Sequence, residues 1–167
     1  MILALELAVP AGPEFIAVVR LVVSSLASAR RNLADPRVDD LKLAVSEACT
    51  NAIEAQLASG NGEPVVIRVL EAEERIEVQV LDHGGGFDVD TLPGHPPVTD
   101  PDRLNFERGL GIPLIRTLVD YLEFDGRPGG TLVRMVVFGG PADDHSDETS
   151  EILRTVLIED SSPADKP

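Results

Sequence analysis

Apolar residues recur at every second position over ILALELAV at residues 2–9, where Leu3, Leu5, Leu7 and Val9 share one side. That is the period of a half-buried strand. Pro10, Gly12 and Pro13 then break the chain and open a helix expected to run to about Asn32. Its densest stretch, FIAVVRLVVSSLASA, is interrupted by Arg20 and Ser24, so it reads as a packed helix and falls short of the roughly 18 to 20 apolar residues of a membrane span. A second helix follows LADPR and ends near Ser59-Gly60-Asn61-Gly62, a turn and C-cap signal. Val65–Leu70 and Arg75–Leu81 are β-branched runs joined by the acidic turn EAEE, which predicts a hairpin. A third helix is expected from about Gly109–Ile112 to Val119, and two last strands, Tyr121–Asp125 and Thr131–Phe138, flank GRPGG.

Residues 87–108 differ in kind: they are rich in Pro and Asp and have no periodicity. Structureless stretches of that length inside a domain are commonly functional lids or disordered segments. Hairpin-joined strands with helices between them predict an α+β two-layer sandwich, a mixed and largely antiparallel sheet covered on one face by about three helices. The expected division is a domain over 1–138, with its lid at about 87–108, and a flexible acidic tail over 139–167, within which SEILRTVLIED has amphipathic spacing.

Polar residues break the second helix in one informative place. DDLKLAVSEACTNAIEAQLA is mostly apolar, yet Glu47 and Asn51 stand four residues apart, on the same helix face. Such a pair commonly marks a solvated face; it takes on meaning only if the chain supplies a ligand site opposite. The hairpin's second strand ends in Asp82-His83-Gly84-Gly85-Gly86, where three glycines are costly in backbone entropy unless the chain must turn or let a ligand approach. A carboxylate there can accept a hydrogen bond from an exocyclic amine. Arg108-Gly109-Leu110-Gly111 leads into the third helix, whose free N–H groups suit phosphate, with Arg108 as a charged donor. Gly129-Gly130-Thr131 opens the last strand and offers a hydroxyl toward Asp82. Neither the P-loop nor the dinucleotide-binding glycine pattern is present, and Lys42 and Lys166 are the only lysines.

Composition narrows the classes. The 167 residues carry 14 basic and 29 acidic side chains, a net charge of −15, of which −6 lies in 139–167. With no basic cluster beyond Arg30-Arg31, direct nucleic-acid binding is not expected, and a bound phosphate must be held by local groups. Cys49 is the sole cysteine, which excludes a disulfide framework and predicts a buried, inert thiol. The N-terminus lacks a basic region and contains Glu6, a poor signal peptide, so the expected location is cytoplasmic, without membrane attachment.

With these elements in this order, the chain resembles the GHKL (Bergerat-fold) ATPases over roughly residues 3–138. E-x-x-x-N looks like their N box, D-H-G-G-G and R-G-L-G-I like their first two glycine boxes, and G-G-T like the third. Among members, S-E-A-C-T-N-A-I-E-A in a free-standing domain is most similar to the anti-sigma factor serine/threonine kinases of the RsbW/SpoIIAB type. Two departures stand out: Ala55 replaces the His or aromatic residue of many relatives, and Arg108 directly abuts Gly109 where some relatives have a further residue.

The resemblance implies ATP and Mg²⁺ as ligands, with Asn51 giving an oxygen to the metal and Asp82 reading the adenine amine, supported by Thr131. It assigns Gly84 and Gly86 to base and ribose approach, and Arg108, Gly109, Leu110 and Gly111 to the phosphates. Glu47 becomes the general base for a serine on an anti-sigma factor antagonist, while a sigma factor is the sequestered partner and the kinase a homodimer. The alternative is an ATP-binding regulatory module that binds partners without phosphotransfer; a hydrolytic ATPase and a fragment of a two-component system are further rivals. His83, His95 and His145 lie in the glycine turn, the lid and the tail, poor places for a phospho-accepting histidine.

Overall fold

The computed structural model describes residues 1–30, 32–85 and 111–139. Its elements follow the order β1 (Ile2–Val9), a 3₁₀ turn (Pro13–Phe15), α1 (Ile16–Ser28), α2 (Asp35–Ser59), β2 (Val65–Glu71), β3 (Arg75–Asp82), α3 (Gly111–Leu118), β4 (Tyr121–Arg127) and β5 (Gly130–Phe138). The strands form one sheet in the order β1-β2-β3-β5-β4, every neighbouring pair antiparallel. The three helices cover one face, so the two-layer sandwich expected from the sequence is what forms.

Alternation decides which side chains enter the core. Ile67 and Val69 of β2, Ile76, Val78 and Val80 of β3, and Val133, Met135 and Val137 of β5 are all buried in a single cluster. Against them pack Leu41, Val45, Ala48, Ala52 and Ile53 of α2 and Val19, Val23 and Ala27 of α1. Helix α2 is central: it packs on β3 and touches both α1 and α3. It starts with Pro36 in its first turn, where a missing N–H costs nothing, and ends at Gly60 in the left-handed conformation. Cys49 lies inside this core, and burial pushes its thiol pKa up to about 12, as expected of an inert cysteine.

The opposite sheet face carries a buried charge network. Arg134 of β5 grips Glu77 of β3 with two hydrogen bonds, Nε to Oε1 at 2.7 Å and a second guanidinium nitrogen to Oε2 at 3.0 Å. Gln79 also donates to Glu77, Glu123 lies 3.4 Å from Arg134, and the Tyr121 ring faces the guanidinium.

Three boundaries differ from the sequence expectation, and the first is the start of α2 at Asp35, within LADPR. Helix α1 stops at Ser28 rather than near Asn32, because Arg30 and Asn32 are drawn off to donate to the carbonyls of Ala72 and Glu73 in the β2–β3 turn. The last hairpin is tighter than GRPGG implies: Arg127 pairs with Gly130 around Pro128-Gly129, with Gly129 at φ 93. The lid (87–108) and the tail beyond Gly139 lie outside the described residues. Among the described residues, no helix is long and apolar enough to cross a membrane.

Candidate nucleotide site

Glu47 and Asn51 project from α2 one turn apart, each half-buried. The first residue of α3, Gly111, is seated directly on them. A Cβ added there would lie 3.2 Å from a Glu47 carboxylate oxygen and 3.3 to 3.4 Å from the Asn51 carboxamide atoms. Among the described residues α3 therefore begins beside the pair. Among the described residues neither polar side chain accepts or donates a hydrogen bond.

Asp82 ends β3 opposite Thr131, its register partner in β5. Its side chain is only 4% exposed and accepts the backbone N–H of Gly84 at 2.8 Å, with a second backbone bond from Thr131. Burial raises its pKa above the usual carboxylate range, the two backbone donors and nearby His83 opposing that shift. The Thr131 contact runs through the main chain; the strand pairing places it.

Glycine is required here for reasons the sequence did not reveal. A Cβ on Gly84 would meet the backbone carbon and oxygen of Ala55 in α2 at 2.9 Å, so the missing side chain lets the turn lie on the helix. A Cβ on Gly130 would fall 2.2 Å from the Asp82 carbonyl oxygen, which closes β5 against the same turn. The small residue at Ala55 is the partner of the Gly84 contact. Gly86, Arg108, Gly109 and Leu110 lie outside the described residues.

Two further residues, Gln56 and Asn61, hold the turn after Asp82, and the sequence marks the second only as part of the turn that ends α2. Gln56 is the only polar side chain among the buried residues of α2. Its Oε1 accepts the His83 N–H at 2.7 Å and its Nε2 donates to the Glu63 carbonyl at 2.6 Å. Asn61 donates to the His83 carbonyl at 2.9 Å. The available signal was a glutamine four, seven and eleven positions after Ala52, Cys49 and Val45, on the apolar stripe of the helix.

These groups fit a magnesium nucleotide. A buried carboxylate with remaining acceptor capacity suits an exocyclic amine, and a carboxamide oxygen suits a hard cation. Among the described residues no three His, Cys, Asp or Glu side chains cluster to hold a metal, so Mg²⁺ at Asn51 would rely on phosphate and water for its other ligands.

Comparison with known proteins agrees with this layout. The model of the histidine kinase-like ATPase domain matches residues 9–137. The serine-protein kinase RsbW of Bacillus subtilis (strain 168) is 40% identical over 146 residues, 84% of this chain and 89% of the relative. Its Bacillus velezensis counterpart is 37% identical over 145 residues, with the same shares covered. A crystal structure of the RsbU and RsbW domains of a Mycobacterium tuberculosis protein shares the fold, with a TM-score of 0.59 at 18% identity over 83% of this chain; the chain spans 33% of that longer one. The family match and the RsbW relatives together establish that this chain belongs to the histidine kinase-like ATPase domain family, as a relative of the RsbW serine-protein kinases.

Proposed function

We propose that the protein is an ATP-dependent serine kinase and anti-sigma factor, which phosphorylates a serine on an anti-sigma factor antagonist and sequesters a sigma factor. The observation that carries this reading is Gly111 seated on Glu47 and Asn51, which brings α3, a carboxylate and a carboxamide to one place. Relatives bearing the kinase name over 84% of the chain support it.

In this reading Asp82 accepts the adenine amine and Asn51 holds Mg²⁺, which neutralises phosphate charge. Gly84 and Gly86 line the approach of the base and ribose. Arg108, Gly109, Leu110 and Gly111 hold the phosphates. Glu47 takes the proton as the serine oxygen bonds to the γ-phosphorus and the bond to the ADP oxygen breaks. Phosphoryl transfer depends on positioning and charge neutralisation, so one carboxylate with one metal ion suffices. The domain boundaries 1–138 and 139–167 and a cytoplasmic location belong to the same reading.

A second copy of the chain is the partner assigned to the edge strand β1. Ile2 is 74% exposed there beside Leu3, and the strand's one charge, Glu6, is neutralised by Arg68 at 2.7 Å. In a chain of net charge −15, the one charge on that strand is thus balanced locally. Sedimentation of an Ile2→Lys, Leu3→Lys variant checks it: an unchanged mass removes β1 as the interface.

The decisive experiment replaces Glu47 with Gln. Phosphorylation of the antagonist should fall by roughly 10²- to 10⁴-fold while Mg-ATP affinity stays within a few-fold. A parent protein that binds ATP but phosphorylates no antagonist would establish the binding-module alternative instead.

A further inference from the structure

We propose that Gln56, assisted by Asn61, is a positioning residue that orients Asp82 and so sets selectivity for the adenine amine. The inference rests on the assignment of Asp82 to the base. Gln56 lies on the core side of α2, away from Glu47 and Asn51, and its carboxamide is fully buried. It spends both ends on main chain: it accepts from His83 N–H at 2.7 Å and donates to the Glu63 carbonyl at 2.6 Å. The first of these bonds holds the peptide between Asp82 and His83.

The next peptide, between His83 and Gly84, is held at both of its polar atoms. Asn61 donates to its carbonyl at 2.9 Å, and its N–H is the one that Asp82 Oδ1 accepts at 2.8 Å. The orientation of the Asp82 carboxylate is therefore tied to two peptide planes that Gln56 and Asn61 fix from α2 and the loop behind it. Seating Gly84 against the Ala55 backbone, one residue before Gln56, completes the attachment. Helix α2 carries Asn51 at the metal end of the site, so Gln56 also sets where the base end stands relative to that residue. A water-filled or apolar replacement would leave the His83 N–H without this acceptor and let both planes turn.

The test compares Mg-ATP with the Mg complex of purine riboside triphosphate, which lacks the exocyclic amine, by titration calorimetry. The ratio of the two dissociation constants reads the amine contact and does not change with the fraction of folded protein. In Asp82→Asn the preference for ATP should fall by about tenfold, the size of one net hydrogen bond. Gln56→Met should lower it by a similar factor, and the exposed Asn61→Ala by about two- to threefold. If Asp82→Asn lowers the preference and Gln56→Met keeps the parental ratio, the positioning role is overturned. Should Gln56→Met not fold, an unchanged ratio in Asn61→Ala overturns it equally. If Asp82→Asn itself leaves the ratio unchanged, the assignment of Asp82 fails and the role of Gln56 fails with it.

Discussion

Replacing Gly111 with Ala tests the site where α3 meets α2. The added Cβ would stand 3.2 Å from Glu47 Oε2 and 3.3 and 3.4 Å from the two Asn51 carboxamide atoms. Comfortable contacts of this kind begin near about 3.5 Å, so Glu47 Oε2 must retreat by roughly 0.3 Å and the Asn51 atoms by less. Without nucleotide they can, because both contacts are with the ends of side chains and neither end is held by a hydrogen bond among the described residues. The stability cost should stay below about 1 kcal/mol, and the better helix propensity of Ala, worth up to about 1 kcal/mol, offsets it. With nucleotide bound, both ends must hold their functional positions. If a 1 Å misplacement costs about 10²-fold, a shift of about 0.3 Å costs roughly 4-fold. Calorimetric melts should thus show a nearly unchanged Tm, and Mg-ATP titration a roughly 4-fold weaker dissociation constant. Gly62→Ala is the control, since nothing lies within 4 Å of its Cβ position. A Gly111→Ala protein that melts like its parent and binds Mg-ATP within about twofold of it would refute the placement of the pair at the phosphate end.

Gly84→Ala meets backbone at 2.9 Å, which cannot swing away, so it should lose about 1 to 3 kcal/mol in urea titration; a parental midpoint contradicts the contact. Arg134→Met strands Glu77, which is 1% exposed, and should cost about 3 to 5 kcal/mol, while adding Glu77→Leu should recover much of the loss; equal stability of the single and double variants would remove the buried pair as the cause. Because burial raises the Asp82 pKa, the native state binds this proton more tightly than the unfolded chain does. The stability linked to that proton is complete below the unfolded pKa near about 3.9 and is lost as pH rises through the raised native value. Melts of the parent and of Asp82→Asn, compared from pH 4 to pH 7, should show the parent losing ground as pH rises; a constant difference contradicts the raised pKa.

Strand positions were legible because the sheet uses period-two alternation with one face on the helices, as at Ile76, Val78 and Val80. Glu47 and Asn51 were legible because a carboxylate and a carboxamide interrupt a helix of Leu, Val and Ala. The glycines were legible as unusual but not for their causes. Gly84 is glycine because α2 passes behind it at Ala55, and that neighbour, 29 positions earlier, belongs to no local pattern. Gln56 shows in the sequence only as a polar residue on the apolar stripe of α2, and that spacing does not say what it bonds. Its two hydrogen-bond partners, Glu63 and His83, are 7 and 27 positions away.

Local physics thus determined the element order, the core face of the inner strands β2 and β3 and the residue types available for a nucleotide. Those depend on nearest-neighbour backbone preference and on side-chain period, which a linear chain displays. Only the tertiary structure decided the rest. It paired β3 with β5 so that Thr131 stands opposite Asp82, and it set Gly111 on Glu47 and Asn51. It also spent the buried Gln56 carboxamide on the peptide beside Asp82. Those outcomes arise from close packing between segments distant in sequence, where a single methyl group or one unpaired N–H decides the fit.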